Sequence, residues 1–250
     1  MKRKRDKVQR ISKAKKKTNV GDDHFEDQLF QPKDWDYIIH HDKWFAGKVN
    51  VFSTEMVISN LYGNMSNDQI ALFRKTCFGP YVDMKEISLQ PQLIHQVLLR
   101  EVKQPNLDET WFKIGEKCVR FSIHEFCLIT GLRCTGNDDC LKYQSRLSRI
   151  KDTYFRHVPN ITRSKVKDVF VNLKDASDKD VVKIGVLYLI TSFLFTTSYK
   201  KLVDDSLMAL VDSDEMETFA WGEELYRITL SSLKSALRNK SLTEGWEESF

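Results

Sequence analysis

The chain has no apolar run long enough to cross a membrane. Its longest uncharged stretch, Ile184 to Tyr199, carries several Ser and Thr and falls short of the ~20 residues a spanning helix needs. No apolar segment follows the basic start, so neither a secretory route nor a membrane contact is expected. Without that route the sequons at Asn64, Asn160 and Asn239 are chance matches. Glycine and proline are scarce, at 10 and 5 of 250 residues, and no glycine run precedes a Lys-Ser or Lys-Thr pair. That excludes a phosphate-cradling loop and leaves no flexible linker to divide the folded part. The five cysteines are an odd number without regular spacing, as suits reduced thiols in an intracellular protein.

What is present is enough to fold. Apolar residues make up 41% and aromatics 11%, sufficient for one sizeable core. The net charge of +4 hides an asymmetry: residues 1–20 hold ten of the 39 Lys/Arg and one of the 35 Asp/Glu, leaving 29 against 34 in the remainder. A mildly acidic body therefore carries a strongly basic arm. The arm, residues 1–24, lacks apolar periodicity and is expected to be disordered. One α-rich domain is expected over residues 25–240, with a frayed tail at 241–250.

Helix signals dominate that domain. Ser53–Tyr62 and Asn67–Thr76 form two predicted helices parted by the turn pair Gly63-Asn64, the second stopped by Phe78-Gly79-Pro80. Gln92–Arg100 reads as amphipathic, with Leu93, Val97 and Leu98 on its apolar side. Ser177-x-x-Asp180 caps a segment, Val181 to Phe195, that is apolar almost all round and so belongs in the centre of the core. Glu223–Arg238 places Leu225, Ile228, Leu233 and Ala236 at helical spacing. Thr110–Ile114 and Lys117–Phe121, flanking Gly115-Glu116, predict a small hairpin. The class is mainly α with a minor β element.

The stretch Trp111 to Leu132 invites a chemical reading. Cys118, His124, Cys127, Cys134 and Cys140 fall within 23 residues, enough ligands for zinc by count. Structural zinc sites use ligands paired about two to four residues apart, and only His124 and Cys127 approach that. Position by position the stretch reads instead as a hairpin, a capping box at Ser122-x-x-Glu125, a helix burying Ile123, Phe126, Ile129 and Leu132, and a stop at Gly131. Cys127 then behaves as a small buried hydrophobe. A cysteine protease would need a thiolate, a histidine and an orienting Asp. The nearest imitation is Asp139-Cys140 with the distant His41-Asp42, but Leu141 follows where glycine would admit an oxyanion and no glutamine lies closely upstream. Adjacent His40 and His41 in an extended segment point apart. No catalytic residue, metal ligand or cofactor site is expected.

FRKTCFGPYVDMKEISLQPQLIHQVLLREV from Phe73, ETWFKIGEKCVRFSIHEFCLITGL from Glu109, KIGVLYLITSFLF from Lys183 and LVDSDEMETFAWGEELYRITLSSLK from Leu210 together resemble a plant family, domain of unknown function nineteen eighty-five, over residues 61–236. One departure is Ala220, where the family pattern implies proline. The resemblance implies a transposon-associated protein whose relatives often place this domain ahead of a cysteine protease similar to those processing SUMO-type modifiers. It implies no activity for the domain itself. The expectation is a non-catalytic, nuclear, transposon-derived interaction or accessory module with an unidentified protein partner. The alternatives are a truncated relative of the modifier protease lacking its catalytic domain, and a nucleic-acid binder acting through the arm.

In the arm, Lys2, Arg3, Lys4 and Arg5 are separated by a short spacer from Lys13, Lys15, Lys16 and Lys17. This two-part pattern suits an import receptor, with nucleus expected over cytoplasm. It also suits phosphate backbones, without sequence preference. Binding of the full chain to unrelated DNA duplexes is expected to be weak, to fall steeply with salt, and to vanish when residues 1–20 are deleted. Fluorescence anisotropy across a salt series checks this; salt-resistant, sequence-selective binding by the shortened chain would refute it.

Overall fold

A computed structural model describes residues 35–46, 55–85, 90–195 and 202–236. These lie within one compact unit, Asp34–Phe250; the expected arm at 1–24 and tail at 241–250 fall outside the described residues. The fold is mainly α, with one small antiparallel sheet.

Its centre is α8 (Asp178–Leu189), whose Ser177 Oγ accepts the Asp180 N–H at 3.3 Å. From Val181 to Leu189 every residue except Lys183 is buried. A helix without a solvated face needs neighbours all round, and α8 has them: α1 (Glu55–Asn64), α2 (Asn67–Phe73), α7 (Arg163–Val171) and α9 (Asp205–Asp212). At Ile190–Leu194 the helix widens into a π turn, closed by Phe195 N–H donating to Ile190 O at 2.7 Å. The expected apolar segment is therefore continuous, but its last five helical residues are wound differently.

The turn between α1 and α2 is not where glycine suggested. α1 runs through Gly63-Asn64, and the break falls at Ser66, whose N–H donates to Gln69 Oε1 at 2.9 Å while Ser66 Oγ accepts the Gln69 N–H at 3.2 Å. A reciprocal cap fixes a helix start more firmly than one glycine ends the helix before it. Phe78-Gly79-Pro80 both stops and starts: α3 (Gly79–Val82) begins there with proline in its first turn. A Cβ on Gly79 would lie 2.2 Å from the Arg74 carbonyl oxygen, so only glycine fits.

Polar anchors orient the elements around α8. Asp180, itself buried, accepts Arg149 Nη1 at 3.0 Å and Tyr154 Oη at 2.9 Å, and Arg149 Nη2 also contacts its other oxygen. Both partners sit on α6 (Arg149–Tyr154). Asp212, at the end of α9, takes the Ile150 N–H at 3.1 Å and Lys183 Nζ at 3.1 Å. Three helices are thus tied through two carboxylates.

The hairpin forms as expected, β2 (Thr110–Ile114) pairing with β3 (Lys117–Phe121) around Gly115 at φ +61°. A third strand, β1 (Glu101–Val102), pairs with β2, and Tyr37 bridges to Val102. Two residues leave too little alternation to be seen in sequence. β1 follows α4 (Pro91–Leu98), which buries His95 with its Nε2 2.8 Å from Phe45 O, while Leu93, expected inside, is exposed. Phe112, Leu98 and Leu99 form a second, smaller core with Trp44 and Phe45.

α5 (Ile123–Thr130) carries the predicted capping box: Glu125 Oε2 accepts the Ser122 N–H at 2.7 Å, Ser122 Oγ accepts the His124 N–H at 3.2 Å, and Gly131 closes the helix at φ +70°. Its buried side is corrected. Ile129 is 79% exposed and Leu128 86%; the inward side carries Phe126, whose ring lies 5.7 Å from that of Tyr226 on α10 (Trp221–Ala236). The four-residue step from Phe126 reaches Thr130, whose hydroxyl caps Phe126 O at 2.8 Å.

The Arg149 guanidinium, with Tyr154 assisting against the cost of burial, holds the Asp180 carboxyl down to about 2, below its ordinary value of about 3.9. That stabilisation is present above the unfolded-state value and is lost as pH falls through the folded one. Asp180→Asn is expected to cost about 2–4 kcal/mol at pH 7, the difference from wild type shrinking between about pH 4 and pH 2. Urea denaturation at stepped pH checks this; a pH-independent difference would refute it.

Candidate functional site

A cavity of about 660 Å³ opens between α7, α9, α10 and the end of α8. Its position follows from backbone pairing. Thr162 bridges to Leu202 and Val203 N–H donates to Ile161 O at 2.8 Å, which sets the entry to α9 beside the start of α7. Asp204 then caps α9, its Oδ1 accepting Ser206 N–H at 2.8 Å and Ser206 Oγ–H at 2.7 Å. Opposite, Asp139 Oδ1 accepts the Leu141 N–H at 3.0 Å and turns Cys140–Tyr143 into a single 3-10 turn. Thr191 and Phe195 come from the π turn and the residue after it. Residues 196–201, between Phe195 and Leu202, lie outside the described residues.

The floor is an aromatic knot. Trp221 is buried, donates Nε1–H to Met216 O at 2.8 Å, and meets Phe78 at 5.2 Å and Phe219 at 4.8 Å between ring centroids, both edge-on. Phe219 in turn stands against Tyr143. The neighbouring Gly222 is required by space: a Cβ there would lie 2.7 Å from Cys134 Sγ and 2.8 Å from Arg133 O. Two backbone bonds hold this junction, Gly222 N–H to Arg133 O at 2.7 Å and Ala220 N–H to Asn137 O at 2.8 Å. Ala220 supplies an N–H for this second bond that the proline expected there would lack.

Around the floor stand Leu202, Val203, Leu207 and Ile228, and at the exposed mouth Asp138, Asp139, Asp204 and Arg227. Glu224 pairs with Arg227, and Arg163 donates to Ser192 O at 3.0 Å, burial lowering its pKa. Cys140 Sγ lies 3.4 Å from Ser206 Oγ. Burial pushes that thiol up, and the carboxylates of Glu224, Asp204 and Asp139 add to the shift against the opposing Ser206 bond. A neutral thiol is a poor nucleophile and a poor ligand.

The structure therefore separates the groups that sequence spacing put together. Cys140 lines the cavity, and no histidine is among its described lining residues. His41 lies against Trp44 with ring centroids 4.3 Å apart and the planes tilted by 44°, and His40 contacts Asp42 at the surface. Cys118 is a free thiol on β3, while Cys127 and Cys134 are joined as a disulfide with Cα atoms 6.3 Å apart. The reading of five reduced thiols is corrected there: the turn at Gly131 folds the chain back, and a seven-residue separation across a glycine stop was the available signal. Among the described residues no three His, Cys, Asp or Glu are grouped to hold a metal. Lys2, Arg3, Lys4, Arg5, Lys13, Lys15, Lys16 and Lys17 lie outside the described residues. The cavity itself was missed because its wall residues come from segments up to 90 positions apart, from Asp138 to Ile228.

Fold and site define an α-rich domain with a small sheet and, among the described residues, a partly enclosed apolar cavity with an acidic mouth. Residues 98–232, more than half of the chain, match the family model described as Domain of unknown function (DUF1985), and the chain belongs to that family. No curated protein and no solved structure matches it. Every cavity-lining residue named above falls inside the matched span.

Alkylation of Cys140 by iodoacetamide at pH 7 is expected to be at least about tenfold slower in the folded chain than in the urea-unfolded one, because the thiolate fraction is suppressed. Peptide mapping by mass spectrometry checks it, and equal rates would refute it.

Proposed function

We propose that the chain is a non-catalytic interaction or accessory module of a transposon-derived plant protein, carried to the nucleus by its basic arm. The chemical state of Cys140 carries the non-catalytic part. A cysteine hydrolase depresses its thiol with an adjacent imidazole; here burial and carboxylates raise it, and the hydroxyl beside it is engaged by Asp204.

The family resemblance supports the wider context, in which this domain precedes a SUMO-type modifier protease and a protein partner is the natural target. The charge asymmetry supports the rest. An acidic body repels phosphate backbones, so import-receptor contact and weak, non-specific nucleic-acid contact are assigned to residues 1–20.

A fluorescent fusion of the full chain is expected to accumulate in the nucleus, and deletion of residues 1–20 to leave it in the cytoplasm. The purified chain is expected to release no modifier from a SUMO-conjugated substrate. Cytoplasmic full-length protein overturns the nuclear assignment. Cleavage that is lost in Cys140→Ala overturns the non-catalytic one.

A further inference from the structure

We propose that the cavity binds a small organic cation with an apolar body. Size comes first. At about 660 Å³ the cavity falls within the ~300–1,000 Å³ of pockets that enclose most of a small organic molecule.

The distribution of chemistry then selects the ligand. Buried Phe219 and Trp221 floor the cavity, and Val203, Leu207 and Phe195 wall it, so the deep part favours apolar or aromatic groups. Aromatic rings also favour a cation close by. The mouth is anionic: Asp138, Asp139, Asp204 and Glu224 stand against Arg163 and Arg227. Arg227 pairs with Glu224 and also faces Asp138, so among the described residues the mouth sets four carboxylates against two guanidiniums. The bonds that Asp139 and Asp204 accept here come from neutral N–H and O–H groups, which hold the carboxylates in place without cancelling their charge. An anion meets repulsion at this mouth, and a neutral molecule gains only from the floor. An ammonium group tethered to an aromatic or alkyl body satisfies both parts at once.

Three matched probes test this: 4-phenylbutylammonium, 4-phenylbutanol and 4-phenylbutyrate, titrated into the full chain by calorimetry. The ammonium is expected to bind saturably at one site, about tenfold or more tighter than the alcohol, as one favourable charge contact of roughly 1.4 kcal/mol gives, with the carboxylate weakest. Asp138→Asn with Asp204→Asn should remove most of the ammonium's advantage while leaving the alcohol's affinity unchanged; asparagine keeps the cap at 204. Leu207→Trp should fill the cavity and abolish binding of both, with circular dichroism reporting whether that variant folds. Absence of saturable ammonium binding into the millimolar range overturns the proposal, as does equal binding of ammonium and alcohol that the double Asn variant does not alter.

Discussion

One constraint organises this molecule: α8 has almost no face to give to water. A helix buried on nearly all sides stabilises nothing by itself and becomes stable only as its neighbours close around it. Four helices, α1, α2, α7 and α9, pack directly on it. Specificity in that arrangement comes from the ends. Asp180 on α8 and Asp212 on α9 receive cations and a backbone donor from α6 and α8, so the apolar surfaces meet in one rotational setting and not several.

The same logic explains what sequence could and could not show. α8, α10, the hairpin and the capped α5 were legible because each is encoded by neighbours: a cap, a period, a turn glycine. The boundary at Gly63 was misplaced because a weak breaker was read where the stronger reciprocal cap at Ser66 decides. Ile129 was placed inside by spacing alone, yet only one narrow side of a two-turn helix lies against α10, and Phe126 fills it. β1 rests on too few residues, and the cavity on contacts too distant in sequence, to leave a pattern, whereas the Cys127–Cys134 link had a local signal in its seven-residue span across Gly131.

The site shows how local structure and chemistry become entangled. Two of the acidic residues at the cavity mouth are caps: Asp139 starts a 3-10 turn and Asp204 starts α9. Capping needs only a side-chain oxygen, which Ser, Thr and Asn also offer. Aspartate adds a charge that capping does not require, and three such charges beside an apolar floor give the cavity its polarity. Burial raises the Cys140 thiol first, and the neighbouring carboxylates add to that shift. The basic stretch at residues 1–20 and the acidic mouth of the cavity are opposite in sign.

The position of α8 in the chain also has a consequence for synthesis. Asn60 on α1 bonds Tyr188 across 128 positions, and Gln69 on α2 bonds Asp178 across 109. Both early helices leave the ribosome well before the helix they pack on has been made. At about 5–20 residues per second that interval is on the order of ten seconds, during which Leu61, Ile70 and Phe73, all buried in the finished fold, have no permanent cover. The first part of the domain must wait for the last before these side chains reach their final packing.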